Sequence, residues 1–476
     1  MILKKIKLWF FTRSERMLIQ EKVFESAITT TKITLVQCPQ QELFFKTFLK
    51  IITNNNKKTY YGINPQLNYS PFFYKVFIFP SLLKTIHLKF IRRKWIKIYK
   101  SIGIKKFYYS GDLFLFKKIS NFYKALKIYK KIEFKKDVLQ IEYKKIKCGD
   151  LIYDSYLRFN KKPTVNLNDL SLLFYIADCI NQIDYFLEIC KKNSIDEYYT
   201  SYTTYISHGI PVRVFLENKI DVYSFAHVNE INYNFQVKKL NKFDHLQTKP
   251  HLSYRKIFKK LNDRNQLIKL GLDKFKLRFE GKNDLDFMKN NQYDKGYITP
   301  KFDYDLDGVV FIGDFFDSQH IFKSMVFEDL YEWLIHTINL TLKFNLKIGF
   351  KPHPNQLRGS SIILEEIQKK HPRIKWINPL TSNSEIFRSG IKFGISVYGS
   401  VLPELAFHKI KPISCGDNPA SSYNFIFQAS SIKQYDDYIL NHVKLNFKSN
   451  LMEEIGEFYY MNWIYKGYVA QKYNYF

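Results

Sequence analysis

The chain predicts an α/β protein of two Rossmann-like halves facing a cleft, and three observations lead there. Short β-branched or aromatic runs that end at Gly or Pro alternate with helix-length stretches along most of the sequence. That alternation is the signature of parallel sheets with crossover connections. At 476 residues the chain exceeds one ordinary core and suits two. A single stretch, residues 236–304, breaks the alternation with a texture dense in Lys, Asn, Asp and Gln. The division is therefore 1–235 as a first half and 236–304 as a linker with a helical insertion. Residues 305–440 form a second half, and 441–476 a helical tail.

In the first half the strand candidates are Ile33–Gln37, Lys75–Phe79, Lys106–Tyr109, Glu197–Tyr202 and Asp221–Phe225. Between them, Leu170–Lys192 repeats apolar residues at helical spacing. Ser253–Lys282 reads as one or two helices, interrupted at Gly271. The second half resumes with strands at Val309–Gly313, Lys347–Pro352, Lys375–Ile377, Phe393–Ser396 and Lys411–Ser414. Helices are expected at Glu328–Lys343, Ile362–His371 and, in the tail, Leu451–Tyr468. Ser382 with Glu385 three residues on has the capping-box spacing.

Charge divides the chain unevenly. The net charge is +30, and residues 1–150 hold 32 Lys and Arg against 9 Asp and Glu. Such asymmetry points that half towards an anionic partner: a membrane surface, a lipid-linked phosphate or an acidic polysaccharide. No nucleic-acid motif accompanies the charge. An aromatic content of 17% is also what AT-rich coding would give. Five cysteines, Cys38, Cys148, Cys179, Cys190 and Cys415, have no metal-ligand spacing and read as thiols of a reducing compartment. The basic, apolar start, Met1–Phe11, is too short and charged for a signal segment. Phe72–Ile91 is broken by Lys75, Lys84, His87 and Lys89 and falls short of a spanning helix. The expected location is the cytoplasm, at the inner face of the membrane.

The candidate chemistry gathers at strand ends. Gly399 and Ser400 open a helix after the strand at Phe393–Ser396, and a helix start presents free N–H groups to phosphate. Glu404, one turn in, has the reach to accept from ribose hydroxyls; taken alone, Ser400 is also an N-cap and Glu404 a residue balancing the helix dipole. His353, held between Pro352 and Pro354, is placed to meet a phosphate or a developing charge. Asp314, Asp317 and His320 lie in the loop after Val309–Gly313 and are general acid/base types. Asp154, Arg158, His208 and Arg213 are the acceptor-side candidates of the first half. Asp303, Asp305 and Asp307 before Gly308 copy the opening of a calcium loop, but a strand follows where a helix is needed, so a solvated turn is expected and no metal site. The sequence contains no Gly-x-Gly-x-x-Gly, Walker A, Gly-x-Ser-x-Gly or His-Glu-x-x-His. Dinucleotide oxidoreductases, NTPases, serine esterases and zinc proteases lose their usual support.

In order, the segments are Gly149–Arg158, Asp314–His320, Phe327–Trp333, Lys351–Asn355, Ser396–Glu404 and Gly416–Pro419. Together they resemble the bacterial capsule and surface-polysaccharide biosynthesis glycosyltransferases of GT-B type. That group is related in pattern to Kdo transferases and polysialyltransferase-like enzymes with a His-Pro motif. The resemblance is strongest over 303–440. It implies that His353 touches donor phosphate and that Ser400 and Glu404 hold phosphate and ribose, with Asn355 and Asp417 as looser correspondences. Tyr398 and Pro403 depart from the pattern. It further implies transfer of a sugar from a CMP- or UDP-linked donor to a glycan or lipid-linked acceptor, with no metal or other cofactor. Two other functions fit the same motifs: transfer of glycerol- or ribitol-phosphate from a CDP-linked donor, and a non-catalytic binding component of a polysaccharide assembly complex.

Overall fold

The computed structural model describes residues 32–38, 58–64, 96, 99–110, 113–200, 202–229, 234–240, 251–282, 293, 302, 304–322, 325–448 and 450–465. Met1–Phe11, Phe72–Ile91 with the strand candidate Lys75–Phe79, and Asp303 lie outside the described residues.

The first sheet begins with β1 (Ile33–Gln37), β2 (Thr59–Asn64) and β3 (Lys106–Tyr109). Helices α1 (Leu115–Tyr129) and α2 (Lys135–Leu139) follow, then a small hairpin of β4 (Glu142–Tyr143) and β5 (Ile146–Lys147). Next come α3 (Gly149–Asn160), α4 (Ser171–Lys192), β6 (Ile195–Thr200), α5 (Tyr205–Glu217), β7 (Asp221–Asn229) and β8 (Asn234–Leu240). The strands order as β3-β2-β1-β6-β7-β8, parallel except for β8 against β7. This is the doubly wound order, with its reversal of direction between β1 and β6. Its core joins Leu35 and Tyr198 of the strands to Tyr153, Ile176, Phe186 and Phe215 of the helices.

Helices α6 (His251–Phe258) and α7 (Arg264–Phe279) come next. Gly271 does not interrupt α7. An added Cβ there would lie 2.1 Å from the carbonyl oxygen of Gly456, so the glycine permits a close backbone crossing with the tail.

The second sheet comprises β9 (Gly308–Ile312), β10 (Ile348–Pro352), β11 (Lys375–Trp376), β12 (Phe393–Ile395), β13 (Lys411–Ser414) and β14 (Phe427–Gln428). All pairings are parallel, in the order β11-β10-β9-β12-β13-β14, again with the switch beside its first strand. The intervening helices are α8 (Leu330–Lys343), α9 (Arg358–Lys370), α10 (Asn383–Arg388), α11 (Val401–Phe407) and α12 (Ile432–Leu440). Asp329 starts α8 by accepting from the Glu332 N–H at 2.9 Å. Trp333 of α8 donates to the Tyr435 hydroxyl of α12 at 2.9 Å, and Thr337 shares that hydroxyl at 2.8 Å. These buried side chains thus keep their polar atoms partnered. The tail is α13 (Leu451–Tyr459), which continues into a π-turn at Tyr460–Ile464. Among the described residues no helix is long and apolar enough to cross a membrane.

Candidate functional site

The carboxyl ends of β9, β10 and β12 meet at the switch point of the second sheet, where open α/β sheets bind ligands. A cavity of about 480 Å³ opens there. His353, Asn355, Gly399, Ser400 and Glu404 all line it, as do Lys351 and Tyr398.

Lys351 lies in β10, whose five residues are all buried. The side chain has neither a hydrogen-bond partner nor an ion pair among the described residues. Burial lowers its pKa to about 8, against the opposing pull of Glu404. A cation buried without a partner is costly, and its cost falls when an anion enters the cavity.

The neighbouring imidazole has a fixed tautomer. The Asn355 N–H donates to Nδ1 of His353 at 3.1 Å, so the neutral ring carries its hydrogen on Nε2. The surrounding protein, and then the charge of Lys351, lower the His353 pKa, which keeps the ring a neutral donor although solvent reaches it. Ser400 precedes α11 and makes no capping hydrogen bond through its side chain, leaving its exposed hydroxyl available. Gly399 is needed by the turn itself: its N–H donates to Ser396 Oγ at 3.3 Å, and a Cβ would stand 2.7 Å from that oxygen.

Glu404 is buried at the cavity floor. It pairs with Arg278 at 2.9 Å and accepts from Tyr293 at 2.8 Å and Asn383 at 3.4 Å. A carboxylate has about four acceptor positions, so one remains. Asp417 is not among the residues that line the cavity; Gln428 donates to it at 3.1 Å.

The loop after β9 divides its three candidates. Asp314 accepts from the N–H groups of Phe316 (2.8 Å) and Leu357 (2.7 Å) and from the Ser360 hydroxyl (3.0 Å); it ties the loop to the start of α9. His320 is buried. Nδ1 meets Asp154 at 2.6 Å and Nε2 meets the Glu328 carbonyl at 3.0 Å. With both nitrogens facing acceptors, the ring is held as an imidazolium: burial opposes the charge, but Asp154 raises the pKa to about 9. Asp317 is exposed, and it accepts from the adjacent Ser318 N–H at 3.0 Å.

The contact of His320 with Asp154 also joins the two halves. Tyr153 donates to Asp329 at 2.6 Å, and Arg158 and Tyr205 each reach the Phe316 carbonyl at 3.4 Å. Arg213 is held elsewhere, in a buried bidentate pair with Asp150 and a 2.6 Å bond to the Lys147 carbonyl. His208 meets Gln37, which also accepts from Thr200 at 3.3 Å. This cluster marks the switch point of the first sheet, between the ends of β1 and β6.

Two features were missed at the level of sequence. Lys351 carried a signal, a charge inside an apolar strand of a parallel sheet. Arg278 and Tyr293 carried none, because their partner Glu404 is more than a hundred residues away in the chain. The phenol of Tyr398, a departure from the expected motif, has a buried oxygen with no hydrogen-bond partner among the described residues. Asp305 and Asp307 pair with Lys347 and Lys392, each at 2.6 Å. Among the described residues no group of three His, Cys, Asp or Glu is placed to hold a metal ion.

No protein-family model matches the chain, and no curated protein matches it by sequence. Among solved structures it is similar to Thermosulfurimonas dismutans KpsC, beta Kdo 2,4 transferase, at 11% identity and a TM-score of 0.34, over 57% of this chain and 85% of that one. A likeness that loose decides neither fold nor activity. The mixed α/β architecture with two parallel-stranded sheets stands on the strand pairing itself.

Proposed function

We propose that the chain is a GT-B glycosyltransferase of capsular or lipopolysaccharide biosynthesis, moving a sugar from a nucleotide-linked donor to a glycan or lipid-linked acceptor. The observation that carries this reading is Lys351, a buried cation with no hydrogen-bond or ion-pair partner among the described residues, in a cavity at a sheet's switch point. The donor phosphate would lie against the Lys351 ammonium, His353 Nε2–H and the Ser400 hydroxyl. The remaining acceptor position of Glu404 suits a ribose hydroxyl.

Transfer then needs a base on the acceptor side. Asp314, Asp154 and His320 are each committed to structural bonds and His208 is held against Gln37, which leaves Asp317. In the proposed step the acceptor hydroxyl gives its proton to Asp317 and its oxygen bonds to the anomeric carbon. The bond from that carbon to the donor phosphate oxygen breaks, and the charge left on phosphate meets Lys351, His353 and Ser400. Donors already in place where charge develops stabilise the transition state most.

The test is thermal stabilisation of the purified chain by a panel of CMP, UDP, their sugar conjugates and CDP-glycerol. A response to CMP or UDP and their conjugates is expected. A response to CDP-glycerol alone would move the reading to polyol-phosphate transfer. Silence across the panel would favour a non-catalytic assembly component.

A further inference from the structure

One surface of the first half has no part in the cavity or in the junction with the second half. Phe114, just before helix α1, and Phe116 in its first turn are each 85% exposed, and Leu115 between them is 48% exposed; Tyr123 further along is 62% exposed. Single exposed apolar residues are ordinary. Three consecutive ones with an aromatic on the same helix are a patch. At 3.6 residues per turn, Phe116, Ser120, Tyr123 and Lys127 lie within about 60° of one another, so they share a face. The opposite face is already occupied: Lys118, Asn121 and Ala125 are buried. Phe122 stacks on Phe174 of α4 at 6.1 Å, and Asn121 donates to Asn181 at 3.1 Å.

The charge on this helix has one sign. From Leu113 to Ile132 there are six lysines and no Asp or Glu. Lys117 pairs with Asp184 and Lys124 bonds Asn121. Lys127, Lys130 and Lys131 are exposed and have no partner among the described residues. Lys127 follows Tyr123 on the outward face, and Lys130 and Lys131 lie just past the helix's carboxyl end.

We infer that this face docks the protein on an anionic lipid surface. Phe114, Leu115 and Phe116 enter the boundary between headgroups and acyl chains, where aromatic side chains settle. Tyr123 lies at headgroup level, and Lys127, Lys130 and Lys131 meet lipid phosphates. A protein partner would be expected to offer acids to the lysines and a groove to the phenylalanines. A bilayer meets both needs with one flat surface. The inference does not rest on the transferase reading, and its failure would leave the nucleotide experiment untouched.

The test is flotation of the full chain with phosphatidylcholine vesicles, with and without phosphatidylglycerol, at low and high salt. Binding is expected only with phosphatidylglycerol and is expected to weaken with salt. The Phe114→Ser, Phe116→Ser double variant should lose roughly tenfold in binding, from the apolar area removed, at an unchanged melting temperature. The independent Lys127→Glu, Lys130→Glu, Lys131→Glu variant should lose as much and become insensitive to salt. Wild-type binding by both variants would overturn the inference. So would a wild-type chain that ignores the vesicles and instead self-associates through Phe114 and Phe116.

Discussion

Lys351 is a residue whose cost and use are argued from the same atoms. Its ammonium lies in a buried strand with no hydrogen-bond or ion-pair partner among the described residues, and burial brings its pKa to about 8. Replacing it with Met keeps the length and removes the charge. Lys351→Met should therefore stabilise the free protein by about 0.5–2 kcal/mol in denaturant titrations, as relief of a functional strain does. Binding of the responding nucleotide should weaken at least about tenfold, the loss of one charge-assisted contact. Affinity should also depend on pH with a definite sign: the ammonium binds an anion below about 8 and loses that ability as pH rises through it. Lys351→Arg should flatten that decline, because guanidinium stays charged. An affinity that is flat from neutral to alkaline pH in the wild type would remove Lys351 from the site. The sequence exposed His353, Ser400 and Glu404 because each sits at a visible strand end or helix start. It hid Arg278 and Tyr293, since nothing local to α7 or to the segment around Tyr293 records that they close on Glu404.

At the scale of elements, what the sequence made legible follows from where each signal is stored. The strands β9, β10, β12 and β13 are short, almost wholly buried runs, and each appears within a residue or two of its expected place, whereas the two-residue edge strand β14 was not expected. Helix α5 carries Gly209 and Pro211, which read locally as breakers; the helix persists because nearly all of it is packed into the first core. Helix α9 begins at Arg358, four residues before its expected start, because its first turn is tied down by Asp314 from a distant loop. That assignment separates two carboxylates only three residues apart. Asp314→Ala should cost about 1–3 kcal/mol by removing the hydrogen bonds it accepts from Phe316, Leu357 and Ser360, read as a shifted denaturation midpoint. Asp317→Asn should change stability by less than about 0.5 kcal/mol while abolishing sugar transfer with nucleotide binding intact. If the two variants exchange these behaviours, the base has been misassigned. Helix α7 supplies a third element-scale test. Alanine favours an exposed helix by about 1 kcal/mol over glycine, yet Gly271→Ala should destabilise by about 1–3 kcal/mol. The reason is that its Cβ would meet the Gly456 carbonyl backbone. Because Arg278 lies on the same helix, nucleotide binding should weaken with it.

Across the whole molecule, two sheets of like order are joined by a small buried polar seam. His320 and Asp154 form its ionic centre, with Tyr153 on Asp329 beside it and Lys135 on Glu332 nearer the surface. An ion pair removed from water contributes little net stability, but breaking one side leaves a charge stranded. The seam is therefore better understood as fixing how the halves meet than as a large source of stability. Its titration has a definite sign. The folded His320 pKa, about 9, stands above the ordinary 6.5, so its contribution is complete below the ordinary value and is lost as pH rises through about 9. The melting temperature of the wild type should fall over that window. His320→Gln should melt lower at neutral pH by the equivalent of about 3–5 kcal/mol, and it should lack this part of the alkaline decline. With the seam broken, the two cores should no longer unfold together, and calorimetry should resolve two transitions where the wild type gives one. Adding Asp154→Asn removes the stranded carboxylate and should recover part of the loss, which a double-mutant cycle would measure as coupling between the two positions. Additive losses at His320 and Asp154 would instead mean that the halves are held by the apolar contacts around the seam, and that its charge is incidental to how they meet.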